Sequence, residues 1–386
     1  MIDVGDFRNE FQRRYGARAL IVSAPGRVNL IGEHTDYNEG FVMPFAIDRS
    51  TLVGVSPRSD DLLNAHTLTL DKTAQIKAGD KQKGKAARWT KYIAGMAEML
   101  KRCGLAVGGA DILIDSDIPF GAGLSSSAAL EMGVGAALAA LSGQIIDPRE
   151  IAFAGQKVEH EFVGVRSGIM DQFASGLSRK GNALLIDCRS LELEYVPLEL
   201  GTAILVACDT HVKHSLASSE YNRRREECER AVEILSSKLP RITALRDVTL
   251  DEVEKHKDLL PDSIFRRCRH VVSENARTLK AAEALQSGDL KETGRLMNLS
   301  HESLRDDYEV SCTELDLLQR TAVDMPEVYG SRMTGGGFGG CTINLLESSA
   351  FEDFKRRVVE RYEKNFNREP TVFQVKPSAG AHKIDL

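Results

Sequence analysis

The apolar spacing over residues 7–15 predicts a short amphipathic helix, and residues 19–23 then read as a strand entering a loop at Pro25-Gly26. Alternating positions over 51–57 and 62–70 predict two strands. Residues 89–103 carry helical spacing, and 109–119 read as a strand with an exit turn at Pro119. An alanine-rich helix is predicted over 124–141, and Asp147-Pro-Arg-Glu opens another with a capping-type start. Apolar runs at 183–187 and 203–208 are of the buried-strand kind. The second half is then mainly helical, over 219–236, 262–287 and 289–306, before a glycine loop at 335–340 and a strand at 341–346. Strands and helices mix without a regular βαβ rhythm, so the fold class is α+β.

The 386 residues exceed most single cores, and a prior near ~150 residues per domain gives two to three units. A break near residue 180 divides the chain into 1–180 and 181–386. Hydrophobic residues make up 42% and charged residues 27%, which excludes a disordered chain. The net charge of −6 argues against a nucleic-acid protein with a dominating basic face. The N-terminus lacks a basic stretch followed by an apolar run, and the apolar segment 133–141 is too short to span a bilayer, so no secretory signal and no membrane partner are expected. The 7 cysteines are scattered, odd in number and form no CxxC pair, which favours reduced, mostly buried thiols in a cytoplasmic protein. His211 and His214 have no third ligand nearby, so a metal role there is disfavoured. The basic run 80–88 reads as a solvated connector.

The first segment that carries chemistry is Pro119-Phe-Gly-Ala-Gly-Leu-Ser-Ser-Ser-Ala-Ala-Leu-Glu131. Gly121 and Gly123 allow backbone amides to come close to a ligand, and three serines then open a strong helix former. Free amides and the positive end of the helix dipole make an anion site suited to phosphate. The bland reading is an over-capped helix start; two glycines before three serines tilt the balance toward phosphate. There is no GxxxxGK[ST] and no GxGxxG after a strand. Countercharge for a triphosphate must therefore come from Mg²⁺ and from side chains elsewhere.

A second segment, residues 24–44, concentrates Arg27, Asn29, Glu33, His34, Asp36 and Tyr37. Donors and acceptors so close together suit a polyhydroxylated ligand. A hydrated surface loop is the plain alternative, but Val28, Leu30 and Ile31 anchor the segment in a core.

Gly26-Arg-Val-Asn-Leu-Ile-Gly-Glu-His-Thr-Asp-Tyr37 resembles the galactokinase signature. Gly121-Ala-Gly-Leu-Ser-Ser-Ser-Ala-Ala129 is similar to the second motif of the GHMP kinase superfamily, and Met333-Thr-Gly-Gly-Gly-Phe-Gly-Gly-Cys-Thr342 to the third. Gly168-Ile-Met-Asp-Gln-Phe173, Leu185-Ile-Asp-Cys-Arg-Ser190 and His214-Ser-Leu-Ala-Ser-Ser-Glu-Tyr221 also resemble galactokinase segments. The resemblance runs over essentially the whole chain. It implies a two-lobed GHMP kinase fold, with a mixed-sheet N-terminal domain and a helix-rich C-terminal domain carrying an antiparallel sheet. It implies ATP-dependent phosphorylation of the C1 hydroxyl of galactose, the first step of galactose catabolism, by a cytoplasmic monomer.

Carried over position by position, the resemblance makes Asp171 and Arg27 catalytic. Glu33, His34, Thr35, Asp36, Gly168 and Tyr221 would hold the sugar, while Gly121, Ala122, Gly123, Leu124, Ser125, Ser126, Ser127 and Trp89 would hold ATP. Ser127 and Glu159 would hold Mg²⁺, for which a hydroxyl and a carboxylate are suitable hard ligands. A core packing role is the rival reading for Trp89, and a structural ion pair is the rival for Arg27 and Asp171. Kinases for N-acetylgalactosamine, galacturonate or arabinose, and a non-catalytic galactose and ATP sensor, are the competing functions. The complete Ser125-Ser-Ser-Ala-Ala129 stretch disfavours the sensor.

Overall fold

The computed structural model describes residues 2–80, 88–212 and 217–385. Helix α1 (Val4–Tyr15) begins on Asp3, whose carboxylate accepts from the Asp6 N–H, and ends on left-handed Gly16. Strands β1 (Leu20–Asn29), β2 (Phe41–Val42), β3 (Pro44–Pro57), β4 (Leu62–Thr67) and β5 (Lys72–Lys77) follow. The first half is completed by α2 (Arg88–Arg102), β6 (Ala110–Ser116), α3 (Ser126–Leu141), α4 (Pro148–Val158) and α5 (Met170–Leu177). Next come β7 (Asn182–Asp187), β8 (Leu193–Pro197) and β9 (Ala203–Asp209), then α6 (Ala217–Ser236), α7 (Leu250–Lys255), α8 (Asp262–Gln286), α9 (Leu290–Asp306) and α10 (Thr313–Val323). The chain closes with β10 (Val328–Thr334), β11 (Cys341–Glu347), α11 (Phe351–Phe366), β12 (Thr371–Val375) and β13 (His382–Lys383).

A six-stranded sheet runs in the order β13-β1-β3-β6-β4-β5, antiparallel except for the β4–β6 pair. Helix α3 packs on β1 and β3, and α2, α4 and α5 gather around it. The second sheet, β10-β11-β9-β12, is antiparallel throughout and is covered by α9, α10 and α11. A small sheet, β2-β7-β8, links a strand of the first half to two beyond residue 180, and β13 carries the C-terminus back to β1. The α+β class expected from the sequence is what the chain adopts.

One apolar cluster spans both halves: Val28, Leu30 and Ile31 of the first meet Leu205, Ala207, Ile343 and Leu345 of the second. That shared core fixes the two sheets relative to each other, so groups at their junction are held in place.

The chain departs from the expected loop at Pro25-Gly26. Strand β1 continues through both residues, and its register against β3 shifts between Pro25 and Arg27. A bulge accommodates the missing proline N–H and re-aims the next side chain, which is Arg27. Helix α3 starts at Ser126 rather than 124, because Ser125 adopts a left-handed backbone with φ of 56°. The expected basic connector falls largely on 81–87 and His214 on 213–216, both outside the described residues. All seven cysteines are free thiols, and Cys208, Cys228, Cys268 and Cys341 are buried. Among the described residues no helix is long and apolar enough to cross a membrane.

Candidate active site

Two adjoining cavities open at the junction of the halves. The smaller, about 230 Å³, is walled by Glu33, His34, Asp36, Gly168 and Tyr221, all named from the sequence. The larger, about 610 Å³, is lined by Gly121, Gly123, Leu124 and the three serines Ser125, Ser126 and Ser127, with Trp89, Tyr92, Phe120 and Leu70 at its apolar side. Arg27, Asp171 and Ser127 line both. A ligand in one cavity therefore meets a ligand in the other at these residues.

The bulge in β1 delivers Arg27 to that point. Its side chain is only 4% exposed, yet it donates from Nε and Nη2 to Asp171 Oδ1 at 2.8 Å and from Nη1 to the Gly123 carbonyl at 2.5 Å. Asp171, in the first turn of α5, is 31% exposed, so a reactant can reach it. Its Oδ2 accepts the Ser125 hydroxyl at 2.6 Å. Ser125 makes no side-chain cap to α3, so the first amides of that helix face the larger cavity uncapped. The serine expected at a phosphate loop thus holds the Asp171 carboxylate.

The third glycine loop lies directly on the second. A Cβ on Gly335, which has φ of +85°, would sit 2.8 Å from the Gly123 carbonyl oxygen. Gly335 donates its N–H to Glu33 Oε1 at 2.6 Å, and Gly336 lines both cavities. Gly168 is a glycine for a similar reason: an added Cβ would fall 1.9 Å from Asp36 Oδ2.

Burial shapes the charges. It raises the Glu33 carboxyl, against the pull of Arg332 and Arg27, and it holds His34 well below the usual imidazole range, helped by neighbouring His270. Burial, with Asp171 nearby, pushes Asp36 up to about 7. His34 Nδ1 pairs with the Tyr37 hydroxyl at 2.8 Å, and Tyr37 with the Tyr308 hydroxyl at 2.8 Å.

Glu159 opens a π-type turn (Glu159–Val163) after α4, a local widening often found where a side chain has a function. It lines the smaller cavity, its Oε2 is buried without a hydrogen bond among the described residues, and the Ser127 hydroxyl is close enough to weigh on its charge. Behind it lies Glu131, fully buried and raised well above the usual carboxylate range by that burial and by Glu159.

Of the residues given a sugar, ATP, metal or catalytic role, two line neither cavity, and of the polar cluster Asn29 and Tyr37 also lie outside both. The Thr35 hydroxyl is engaged with the Gly32 and Phe41 carbonyls at 2.9 and 2.7 Å, and Ala122 is 1% exposed beneath the loop. Glu131, Phe120, Leu70 and Arg332 were not singled out by sequence reasoning. Arg332 lies in a strand of mixed composition, Val328–Thr334, whose spacing gives no sign of a buried cation.

A galactokinase galactose-binding signature matches residues 9–57, a GHMP kinase N-terminal domain matches 91–179 and a GHMP kinase C-terminal region matches 281–364. The chain is 46% identical to a Roseiflexus galactokinase over 100% of its own length and 98% of that protein. It is 45% identical to the Homo sapiens galactokinase, covering 93% of this chain and 92% of that one. The crystal structure of Lactococcus lactis galactokinase complexed with galactose superposes with a TM-score of 0.94 at 35% identity, covering 99% of this chain and 100% of that one. A mevalonate kinase structure, at 21% identity and a TM-score of 0.62 over 92% of this chain and 98% of that one, shares the fold.

Proposed function

The chain belongs to the galactokinase family of GHMP kinases, and from that premise we propose that it transfers the γ-phosphoryl group of ATP to the C1 hydroxyl of galactose. One observation carries this reading: a sugar-sized and a nucleotide-sized cavity meet at the Arg27–Asp171 pair.

The sugar occupies the smaller cavity, its hydroxyls held by Glu33, His34, Asp36, Tyr221 and the backbone at Gly168. Thr35 supports this wall through the backbone. The triphosphate lies along Gly121–Ser127 toward the amides of α3, and the adenine end lies near Trp89, whose Nε1 is buried without a partner among the described residues. The C1 oxygen attacks the γ-phosphorus, the bond to the ADP oxygen breaks, and the proton leaves toward Asp171. Oδ1 already accepts twice from Arg27 and Oδ2 once from the Ser125 hydroxyl, so Oδ2 keeps the lone pair for that proton. Arg27 sets a permanent charge beside the transferring group, which stabilises the phosphoryl oxygens.

Ser127 and Glu159 fit Mg²⁺: an unsatisfied buried carboxylate oxygen next to a hydroxyl is a hard donor set. When bound there, the ion supplies countercharge to the triphosphate. Residues 1–180 and 181–386 serve as the two lobes, exchanging β2, β7, β8 and β13 across the division. A working monomer in the cytoplasm completes the proposal, and the free thiols support that setting.

ADP release measured across galactose, glucose, N-acetylgalactosamine, galacturonate and arabinose tests the proposal. Galactose is expected to be the best substrate by kcat/KM; another sugar ahead of it, or binding without ADP release, would overturn it.

A further inference from the structure

Arg332 heads the fully buried side chains by size, at 0% exposure in β10. A cation taken wholly out of water is costly unless its partners are well placed. Its Nη1 donates to the Asn29 carbonyl at 3.0 Å and lies 3.5 Å from Glu33 Oε1, its Nε donates to the Ser300 hydroxyl at 3.2 Å, and its Nη2 has no partner among the described residues. Ser300 of α9 passes the connection on, donating at 2.5 Å to Glu274 Oε1 of α8. Glu274 also accepts from the Gly32 N–H at 3.0 Å and from Arg277 at 2.7 Å. The helices of the second half thus hold the turn that carries Glu33 from behind.

Glu33 is 1% exposed and lines the smaller cavity. The oxygen that faces Arg332 is the one that accepts the Gly335 N–H. Arg332 and Gly335 stand three residues apart, on β10 and on the loop it feeds, so strand and loop grip one carboxylate oxygen together. A counter-ion serving stability alone would not need a carboxylate that forms the wall of a cavity.

We propose that Arg332 is a positioning residue for the sugar: it holds the Glu33 carboxylate in place at the wall of the smaller cavity, with Ser300 fixing the guanidinium from the far side. The inference rests on the reading of Glu33 as a sugar-holding group.

The test is calorimetric titration of galactose into the nucleotide-free protein, with KM measured for both substrates. Arg332→Met is expected to weaken galactose binding about tenfold or more, and to raise the galactose KM in step while the ATP KM moves less than about threefold. Glu33→Gln is also expected to weaken galactose. The double variant should bind galactose no more than about twofold worse than Glu33→Gln alone, because Arg332 acts through that carboxylate. Losses that multiply in the double variant, or normal galactose affinity in Arg332→Met, would overturn the proposal while leaving the sugar reading intact. Normal affinity in Glu33→Gln would instead remove Glu33 from the sugar site, and the proposal with it. Should Arg332→Met fail to fold, Ser300→Ala removes the Nε anchor and keeps the charge. A folded Ser300→Ala protein is expected to lose about threefold in galactose affinity, and no loss would count against the proposal.

Discussion

Arg27 and Asp171, separated by 144 residues in sequence, meet through a forked contact in which Nε and Nη2 both reach Asp171 Oδ1 at 2.8 Å. The arginine is buried and the carboxylate is partly open, so charge is anchored on one side and available on the other. This asymmetry suits a pair that must stay fixed while a substrate arrives at one member.

Asp171→Ala is expected to lower kcat by about a thousandfold or more, since the lost group acts on the attacking oxygen. Arg27 would be left buried with its hydrogen bond to the Gly123 carbonyl but without its ion pair, costing about 1–3 kcal/mol of stability. Steady-state kinetics with thermal melting checks both. Near-normal turnover in a folded variant would take Asp171 out of the reaction.

Ser125→Ala removes the 2.6 Å hydrogen bond to Asp171 Oδ2 but leaves the backbone of the glycine loop in place. The expected result is a kcat about tenfold lower, equivalent to ~1.4 kcal/mol, with the galactose KM nearly unchanged. A change confined to the ATP KM would mean that the hydroxyl serves only the nucleotide.

Galactose differs from glucose only at C4, so the choice falls to groups that hold an axial hydroxyl, which the proposed function assigns to Asp36 and Tyr221 of the smaller cavity. A preference for galactose of about a hundredfold or more in kcat/KM is expected, equivalent to at least ~2.7 kcal/mol. Tyr221→Phe should erode this preference more than it slows galactose. Gly168→Ala should weaken galactose about tenfold or more, because its methyl would overlap Asp36 Oδ2 at 1.9 Å and push the carboxylate aside. Paired kcat/KM values for the two sugars decide it, and equal values in the unmodified protein would refute the specificity argument.

Asp36 also gives the sugar-free protein a pH dependence. Burial, with Asp171 second, raises its carboxyl from 3.8 to about 7. Between those values the folded chain holds a proton that the unfolded chain has released. Stability from this group is therefore full below pH ~4, falls as pH rises, and levels off above about 7. Asp36→Asn cannot ionise, so its melting temperature should gain on the unmodified protein from pH 5 to pH 8 while galactose binding is lost. Parallel melting curves across that range would contradict the assignment.

Contiguous stretches were legible because their chemistry is local. The glycines and serines of 121–127 set their own turn and free their own amides, and the polar run 27–37 is anchored by the apolar residues inside it. Apolar spacing likewise located α3, α8 and α9 close to where they lie. Which groups face one another was not local. Ser125 reads as part of a phosphate loop, and only the packing of α5 against α3 and β1 brings Asp171 to its hydroxyl. The continuation of β1 through Pro25-Gly26 depends on pairing with β3, which overrides the turn preference of those two residues. Thr35 belongs to the signature by position, yet the fold turns its hydroxyl to backbone carbonyls. The contact of Glu33 with Arg332 spans 299 residues and exists because the two halves pack on a shared core. The sequence by itself determined which chemical groups are present and which local turns display them. The tertiary structure decided which of them share a proton, a charge or a wall, because hydrogen bonds and desolvation act over a few ångströms of space and are blind to distance along the chain.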